Sequence, residues 1–281
     1  MKPGSDSARR RLVAVGWQVP GTGLTRVFRG LLAELSGDWT IDVAGIGTEG
    51  PVRREGGISI HPTVPGGRDT FGLAAARELI ETIHPDVILC HHDLWILARY
   101  ARQLGPVRGD ACLAAYLPLD GVITDETLAE PLLDFDLVIT YTDWARREVE
   151  DAWRRLGATH RPRLEVLPHG LDRVAFQADP DLVASGFDPA ARSRARAEVF
   201  RGRLDPDTAF VVLNAARPAI RKRLDLTLEG FARFARTAPD DAMLCLHHAV
   251  TDHDHNENLQ QLIRWHGLGR RVILNPLGSR V

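Results

Sequence analysis

The sequence predicts an α/β protein built from two doubly wound, Rossmann-like parallel-sheet domains, the second of them incomplete. Short apolar runs alternate with longer amphipathic stretches along the whole chain, which is the pattern of parallel strands joined by helical crossovers. The 281 residues are 44% hydrophobic, enough for two domains with separate cores. The alternation lapses after Asp172, and we place the boundary between the domains there.

Six strands and four helices are predicted for the first domain, residues 11–172. A short tail, residues 1–10, precedes them and is expected to be disordered. The strand candidates are short and largely apolar: Leu12–Val15, Thr40–Ala44, Val87–Cys90, Cys112–Tyr116, Leu137–Thr140 and Leu164–Leu167. The helix candidates have apolar residues at helical spacing: Leu24–Leu35, Phe71–Ile83, Leu94–Leu104 and Trp144–Leu156.

The strand–helix alternation resumes in a second domain, residues 208–281. Residues 173–207 are the predicted linker, because Pro180, Gly186 and the Arg-rich stretch Arg192–Arg203 interrupt the pattern and leave one short solvated helix. The second domain has predicted strands Phe210–Asn214, Met243–His247 and Val272–Leu274 and helices Leu224–Arg236 and Leu259–Trp265. Three strands are half of a doubly wound sheet, so we expect either that further residues complete this domain or that a partner protein or a dimer covers an open sheet edge.

Composition argues against several functional classes. The chain has 35 Lys+Arg against 37 Asp+Glu, a formal net charge of −2, which argues against a dedicated nucleic-acid binder. No apolar run approaches the ~20 residues of a transmembrane helix, and no signal-peptide core follows the start, so we expect a cytoplasmic protein. Cys90, Cys112 and Cys245 lie far apart in apolar stretches and are predicted to be free thiols of a reducing compartment.

A glycine-bearing turn follows the first predicted strand and opens the first helix. Gly21, Thr22 and Gly23 would let a ligand approach the backbone, where helix N–H groups bind an anion or a hydroxyl. Ligands of open α/β sheets bind at such strand ends, so we interpret this loop as part of a site. The turn matches neither common phosphate-loop pattern, and a plain tight turn is the alternative.

Polar and aromatic residues follow the third predicted strand. His91, His92, Asp93 and Trp95 offer directional donors and acceptors beside an aromatic face, which is a suitable lining for a sugar. We take His92 as a catalytic candidate and His91 and Asp93 as cleft-lining residues. The alternative is that one histidine is satisfied in the core. Under both interpretations we expect Asp93 to cap the following helix.

Two more turns near the end of the first domain carry candidate site residues. Asp120, after the fourth predicted strand, is a second catalytic candidate, and ordinary Asp–Gly turn chemistry is its alternative explanation. His169 and Gly170 follow a proline at the end of the last strand of this domain. We expect them to line a cleft between the domains, with a hinge turn bearing an exposed histidine as the alternative.

The sharpest constellation opens the second domain. Arg217 and Lys222 lie five residues apart in a loop that leads from a strand into a helix. Both cations and the positive end of that helix can converge on a polyanion such as a diphosphate. Lys222 is the one lysine of the chain besides Lys2, which favours a position that needs a compact ammonium group. A solvated Arg/Lys cluster, partly neutralised by Asp225, is the alternative.

Metal sites are less favoured by the sequence. Two D-x-D sequences have the spacing by which some sugar transferases hold a divalent cation on a diphosphate, and four histidines are potential zinc ligands. These residues are Asp134 and Asp136, Asp252 and Asp254, and His247, His248, His253 and His255. Asp136 directly precedes a strand, where turn chemistry explains it, and the histidines lack a ligand spacing. We therefore predict no metal site.

Taken together, these segments resemble the GT-B fold glycosyltransferases of the large retaining family 4. That family has a Gly-rich loop after its first strand and an H-x-H-D-like or related segment that lines the acceptor-side cleft. A P-[NH]-G-[VI]-D turn closes its first domain, and G-R-x4-K-G-x-D opens its donor domain. The corresponding segments here, in the same order over nearly the whole chain, are Pro20–Gly23, His91–Asp93, Pro168–Asp172 and Arg217–Asp225.

The resemblance implies roles for these residues. Arg217 and Lys222 would bind the diphosphate of a nucleotide-sugar donor, and Gly21–Gly23 would border the transferred sugar or the phosphates. Charge that builds on a departing nucleoside diphosphate would be stabilised by these cations without a metal. No cofactor is implied besides the nucleotide-sugar co-substrate.

The sequence also departs from the family pattern. Asp120 occupies a stretch where many relatives carry a histidine, and Ala216 and Arg223 replace two usual glycines. The E-x7-E segment that grips the donor in the family would fall beyond Val281.

The resulting expectation is a retaining, metal-independent hexosyltransferase-type enzyme. It would move a sugar from a nucleotide-sugar to a hydroxyl of a glycan, a lipid or a small molecule. Two alternatives stay open. One is a degenerate subunit that binds ligands or depends on a partner, and the other is a metal-dependent transferase that uses a D-x-D sequence.

Overall fold

A computed structural model describes residues 9–63, 69–171, 184, 188–216, 220–247 and 256–274. The chain divides into two compact units, Met1–Leu171 and Asp172–Val281. Most of the predicted N-terminal tail lies outside the described residues. The predicted linker contains one described helix, Pro189–Phe200, within the second unit.

Unit 1 is built on an eight-stranded sheet in the order β3-β4-β2-β1-β5-β6-β7-β8. All neighbouring strands are parallel except β3, which pairs antiparallel with β4. The strands are β1 (Arg10–Trp17), β2 (Trp39–Ile46), β3 (Arg53–Glu55), β4 (Ile58–Pro62), β5 (Val87–His91), β6 (Cys112–Leu117), β7 (Leu137–Thr140) and β8 (Arg163–Val166). The parallel, doubly wound architecture predicted from the sequence is therefore confirmed.

The helices of unit 1 cover both faces of the sheet. They are α1 (Gly23–Leu35), α2 (Leu73–Ile83), α3 (Leu94–Leu104) and α4 (Asp143–Arg155), with 3₁₀ segments at Gly105–Val107 and Glu126–Asp134. The core on one face contains residues of α2, α3 and α4, whereas the core on the other contains Phe28 and Leu32 of α1. Strand residues alternate between these two cores because successive side chains of a strand point to opposite faces.

This winding places a topological switch point in the middle of the sheet. β1 pairs with β2 on one side and with β5 on the other, and the helices α1 and α2 lie on opposite faces. Chain segments therefore leave the carboxyl ends of β1 and β5 in opposite directions. In open α/β sheets a ligand crevice lies at such a point.

Unit 2 has a three-stranded parallel sheet in the order β11-β10-β9. Its described elements are α5 (Pro189–Phe200), β9 (Val211–Asn214), a 3₁₀ turn (Ile220–Lys222), α6 (Leu224–Phe234), β10 (Met243–Leu246), α7 (Asn256–Trp265) and β11 (Val272–Leu274). A separate core is formed by Leu228 and Phe231 of α6, Leu244 and Leu246 of β10, and residues of α7. Among the described residues, unit 2 thus has the three strands that the sequence predicted.

The three cysteines of the chain, Cys90, Cys112 and Cys245, are free thiols, as predicted from their positions in the sequence. Among the described residues, the helices are too short or too polar for any of them to cross a lipid bilayer.

Candidate functional site

The candidate site of unit 1 lies at the carboxyl edge of its sheet, where the loops after β1, β5, β6, β7 and β8 emerge. The loop after β1 leads directly into α1. Thr22 is the N-cap of α1, and its hydroxyl oxygen accepts a hydrogen bond from the Thr25 amide at 3.2 Å. Gly21 has a φ of 80°, which glycine adopts without strain.

The two glycines of this turn are exposed at the start of α1. A Cβ on Gly23 would have nothing within 4 Å, so the backbone there is open to an approaching ligand. The first N–H groups of a helix have no partners within the helix. The turn therefore presents open backbone at a helix start, which is the feature on which the prediction of a site-lining loop depends.

The two histidines at the end of β5 point to opposite faces of the sheet. The His91 ring is stacked between Phe28 of α1 and Tyr116 of β6, with ring centroids 5.3 Å away on each side. It is 0% exposed, and neither of its ring nitrogens has a hydrogen-bond partner. Burial, with smaller contributions from His92 and His169, lowers the pKa of His91 to about 3. This side chain is therefore a neutral, unsatisfied group held inside the layer of α1.

His92 belongs to the opposite layer. The Trp17 indole N–H lies 3.0 Å from its Nε2, and the Asp93 amide lies 2.8 Å from its Nδ1. Both of these groups can only donate, and a neutral imidazole offers one acceptor nitrogen, so the two contacts cannot both be hydrogen bonds. Burial lowers the pKa of His92 to about 4. The two N–H groups that face the ring also disfavour its protonated form, because a protonated imidazole has no acceptor nitrogen.

Asp93 occupies the N-cap position of α3, but its side chain makes no capping hydrogen bond. The sequence-based expectation of a side-chain cap is therefore wrong. The reason is geometric, because the carboxylate lies beside the imidazole, with Oδ2 of Asp93 4.0 Å from Nδ1 of His92. Trp95, in the first turn of α3, is 55% exposed and meets the Phe71 ring edge-on at 5.4 Å. An exposed aromatic face thus stands beside His92, as a sugar-binding lining requires.

A second group of polar residues forms around the ends of β6, β7 and β8. The His169 ring stacks on Tyr141 at 4.6 Å and meets Tyr116 edge-on at 6.0 Å. The Tyr116 hydroxyl donates to the carbonyl of Leu167 at 2.9 Å. Because Tyr116 also stacks on His91, these contacts join the ends of β5, β6, β7 and β8 into one aromatic cluster.

Asp120 lies at the solvent side of this cluster. Its carboxylate raises the pKa of Tyr141, although burial is the larger cause of that shift. The side chain is exposed, and within the described residues it takes part in no ion pair. Of the two catalytic candidates, Asp120 is thus open to a ligand, whereas His92 is 3% exposed. Gly170 is exposed next to His169.

The predicted diphosphate site of unit 2 is described in part. Lys222 ends the 3₁₀ turn between β9 and α6 and is exposed just before the N-terminus of α6. Arg217 lies outside the described residues, as does Asp172. Arg223 pairs with Asp225 at 2.7 Å. This pair neutralises one cation and one anion, whereas the described residues form no ion pair with Lys222.

Two polar residues at strand ends, one in each unit, were not predicted from the sequence as site residues. Asn214 ends β9, and its side chain donates to the Thr227 hydroxyl of α6 at 3.0 Å and accepts from the Ala216 amide at 2.8 Å. It therefore holds the start of the Lys222 loop against α6. Gln18, after β1, is 1% exposed with an unpartnered Oε1. Both residues could have been proposed from the sequence, because each is a polar residue at the end of an apolar strand.

In the first D-x-D sequence, Asp134–Asp136, the second aspartate makes hydrogen bonds that stabilise the fold. Asp136 Oδ2 accepts hydrogen bonds from Arg108 at 2.5 Å and from the Leu113 amide at 2.8 Å. Both contacts are at the amino edge of the sheet, opposite the candidate site. Asp252, Asp254 and three of the four histidines considered as ligands lie outside the described residues. His247 is described, and its Nδ1 is buried without a partner.

Comparison with known proteins relates this fold to glycosyltransferases. No protein-family model matches the chain, and no curated protein does. Among solved structures, Anabaena HepE in complex with UDP and glucose matches with a TM-score of 0.63 and 17% identity, over 97% of this chain and 70% of that chain.

Two trehalose-phosphate synthases match to a similar extent. The UDP-forming enzyme from Burkholderia vietnamiensis has a TM-score of 0.65 and 15% identity, over 97% of this chain and 74% of that chain. The E. coli enzyme bound with UDP-2-fluoro glucose has a TM-score of 0.62 and 16% identity, over 94% and 73%. At this level of identity the likeness shows the fold. It confirms the expected GT-B-like architecture, and this chain spans 70–74% of the length of these neighbours.

Proposed function

We propose that this chain is a glycosyltransferase that moves a sugar from a nucleotide-sugar donor to an acceptor hydroxyl. The fold supports this assignment, because the structural neighbours include HepE in complex with UDP or UDP-glucose and a trehalose-phosphate synthase bound with UDP-2-fluoro glucose. The observation that carries the proposal is the position of Lys222, an exposed ammonium group at the N-terminus of α6 directly after a parallel strand.

The electrostatics of that position suit a diphosphate. The start of a helix carries a partial positive charge and unpartnered N–H groups. Lys222 adds a full charge at the same place, and Arg217 is proposed to add a second. Departure of a nucleoside diphosphate builds negative charge on the leaving oxygens, which prepositioned cations stabilise without reorganisation. On this basis we propose a metal-independent reaction, and from the resemblance to family 4 we propose retention at the anomeric carbon.

The acceptor is assigned to unit 1. Gly21–Gly23, Asp93, His169 and Gly170 line the carboxyl edge of its sheet, and Trp95 presents an aromatic face there. Asp120 is proposed to accept the proton of the attacking hydroxyl, because it is the exposed carboxylate beside the aromatic cluster. His92 is proposed to position either Trp17 or the backbone at Asp93, since its neutral ring can accept a hydrogen bond from one of these two donors.

Binding of UDP and UDP-glucose, measured by calorimetry, tests the donor site. Replacing Lys222 with alanine should weaken binding by roughly tenfold or more, as expected for loss of one charge-assisted contact. The matched control is Arg221→Ala, which removes the neighbouring exposed cation and should have a smaller effect. Equal affinity of the parent and Lys222→Ala proteins would reject the proposed role of Lys222.

Turnover is tested separately by release of UDP from UDP-glucose with candidate acceptors, with and without a chelator. The Asp120→Asn variant should bind UDP like the parent protein and lose turnover. Retained turnover would remove Asp120 from the mechanism. Loss of activity on chelation would favour the metal-dependent alternative.

A further inference from the structure

A groove between α2 and α3 lies beside the candidate site of unit 1. The two helices pack side by side on one face of the sheet. The groove has a volume of about 410 Å³, within the range of about 300–1,000 Å³ that is usual for ligand sites. Its lining includes Asp69 and Phe71 before α2, Ala74 and Arg77 of α2, and Arg99 and Gln103 of α3.

The Phe71 ring connects this groove to the candidate site. It meets the His92 ring edge-on at 5.7 Å and the Trp95 ring edge-on at 5.4 Å. The central guanidinium carbon of Arg99 lies over the same ring, 5.3 Å from its centroid. The Phe71 carbonyl accepts a hydrogen bond from the Tyr100 hydroxyl at 2.7 Å. Phe71 is therefore held between the groove and the carboxyl edge of the sheet.

Arg99 has hydrogen-bond donors that the described residues do not use. Its guanidinium lies over the Phe71 ring, and a guanidinium that packs on an aromatic ring keeps its N–H donors in its own plane. Within the described part of the chain, no residue forms an ion pair or a hydrogen bond with Arg99. The cation is therefore positioned by Phe71, and its N–H groups are available to a ligand.

The other charged residues of the groove have partners. The Asp69 carboxylate accepts hydrogen bonds from amides in the first turn of α2, that of Ala74 at 2.9 Å, so it offsets the partial positive charge at the start of that helix. Arg77 donates through Nε to the Glu81 carboxylate at 2.9 Å. Among the described residues, the groove therefore has one uncompensated positive charge, that of Arg99.

A single positive charge matches a carboxylate better than a phosphate. A carboxylate carries one negative charge and accepts two parallel N–H bonds from an arginine. A phosphate monoester carries about −1.5 to −2 charges at pH 7, so part of its charge would stay uncompensated beside Arg99. Gln103 also lines the groove, and its amide can donate to and accept from a sugar hydroxyl. These groups together suit an acidic sugar.

The spacing along α3 gives the direction in which a ligand would lie. Trp95, Arg99 and Gln103 follow one another at intervals of four residues, which places them along one flank of the helix. Trp95 is exposed in the first turn, at the carboxyl edge of the sheet. Four residues of an α-helix span about 6 Å. A glycan that packs on the Trp95 ring therefore meets Arg99 about 6 Å further along the groove.

We propose that the groove between α2 and α3 binds the carboxylate of a uronic acid in the acceptor glycan. Arg99 pairs with the carboxylate, and Gln103 bonds to a hydroxyl of the same sugar. The Trp95 ring packs against the neighbouring sugar at the carboxyl edge. The role of this glycan as acceptor rests on the proposed function, whereas the binding of a uronic acid to unit 1 does not.

Two sugars that differ in a single group test the proposal. Methyl glucuronide carries a carboxylate where methyl glucoside carries a hydroxymethyl group, and ligand-observed NMR at millimolar concentrations measures the affinity of the chain for each. We expect the glucuronide to bind roughly tenfold more tightly, as for one charge-assisted contact, and its affinity to fall as salt is added. Equal affinity for the two sugars, or no binding of the glucuronide, would overturn the proposal.

Substitutions on α3 locate the preference. Arg99→Gln should abolish the preference for the glucuronide and leave the affinity for the glucoside unchanged, because it removes the charge and keeps most of the stem. Arg99→Lys keeps the charge without the planar fork and should retain part of the preference. Arg102→Gln is the matched control, since Arg102 is an exposed cation of the same helix that does not line the groove. A preference that survives Arg99→Gln, or that Arg102→Gln abolishes equally, contradicts the proposal.

Two further probes separate the groove from a phosphate site and from the donor site. Glucose-6-phosphate should bind more weakly than the glucuronide, and tighter binding that depends on Arg99 would reject the carboxylate. UDP should not displace the glucuronide, and displacement would assign the groove to the donor instead. If the glucuronide binds as expected and UDP does not bind at all, the groove is supported and the proposed transfer reaction fails.

Discussion

The Phe28 ring lies directly over the α-carbon of Gly16, so that a Cβ on Gly16 would meet the ring at 2.6 Å. The same ring stacks on His91. Gly16 is therefore the residue of β1 that allows α1 to approach the sheet and cover His91.

Substitution of Gly16 by alanine should displace the Phe28 ring and destabilise unit 1 by about 1–3 kcal/mol, the usual cost of overpacking. Chemical denaturation measures this change. Gly30→Ala is the control on α1, because nothing lies within 4 Å of its Cβ position. That variant should be neutral or more stable by up to about 1 kcal/mol. Equal stability of the Gly16→Ala and parent proteins would show that Phe28 can move freely.

Replacement of His91 by phenylalanine should stabilise unit 1, most strongly in acid. The ring stack with Phe28 and Tyr116 is kept, and two unpartnered buried nitrogens are removed, which is worth about 1–3 kcal/mol. The parent protein has a folded-state pKa of about 3 at His91 against an ordinary value of 6.5. Between these values the unfolded chain binds a proton that the folded chain does not, so stability falls as the pH falls.

The pH dependence of unfolding therefore provides the measurement. Each such proton contributes a slope of about 1.4 kcal/mol per pH unit between the two pKa values. His92 contributes in the same direction, since its pKa is lowered to about 4. The His91→Phe protein should lose one of these two contributions. A slope identical to that of the parent protein would mean that His91 is already protonated in the folded state.

Arg223→Gly should stabilise the start of α6. Arg223 has a φ of 49°, a left-handed conformation that costs a non-glycine residue about 1–2 kcal/mol. Its ion pair with Asp225 is about half exposed on both sides and contributes less than that. Arg223→Ala loses the ion pair but keeps the strain, so it should be less stable than Arg223→Gly by about 1 kcal/mol. Denaturant titration of the two variants would contradict this if alanine were the more stable.

Asp136→Ala should destabilise unit 1 by about 1–2 kcal/mol through the loss of its bonds to Arg108 and the Leu113 amide. It should leave affinity for UDP unchanged. Asp134→Ala is the companion control, because Asp134 is exposed and should affect stability by less than about 0.5 kcal/mol. Reduced UDP affinity in both variants would instead support a cation held by this D-x-D sequence.

Most of the sheet could be predicted from the sequence because its strands are buried on both faces. Val87–His91 and Leu137–Thr140 are apolar runs bounded by polar turns, and such runs identify parallel strands. The β3–β4 hairpin was missed because Arg53–Glu55 is entirely polar and lies at the sheet edge. An exposed edge strand is defined by its pairing, which the local sequence does not encode.

The position of the candidate site at the edge of the sheet could be predicted from the sequence, but the contacts between its side chains could not. The polar residues at the strand ends of unit 1 lie at one edge of the sheet, because the carboxyl ends of parallel strands meet there. Which of two adjacent histidines is sandwiched between aromatic rings depends on strand register and on Phe28, more than sixty residues away in sequence. The stacking of His169 on Tyr141 likewise depends on the pairing of β7 with β8.

The scarcity of lysine gives Lys222 an experimental use. Apart from the chain terminus, an acylating reagent finds two primary amines in this sequence, those of Lys2 and Lys222, and the second stands exposed before α6. Mass spectrometry of the modified peptides would report the accessibility of that single side chain against an internal reference. Shielding by an added nucleotide would locate the ligand without any mutation.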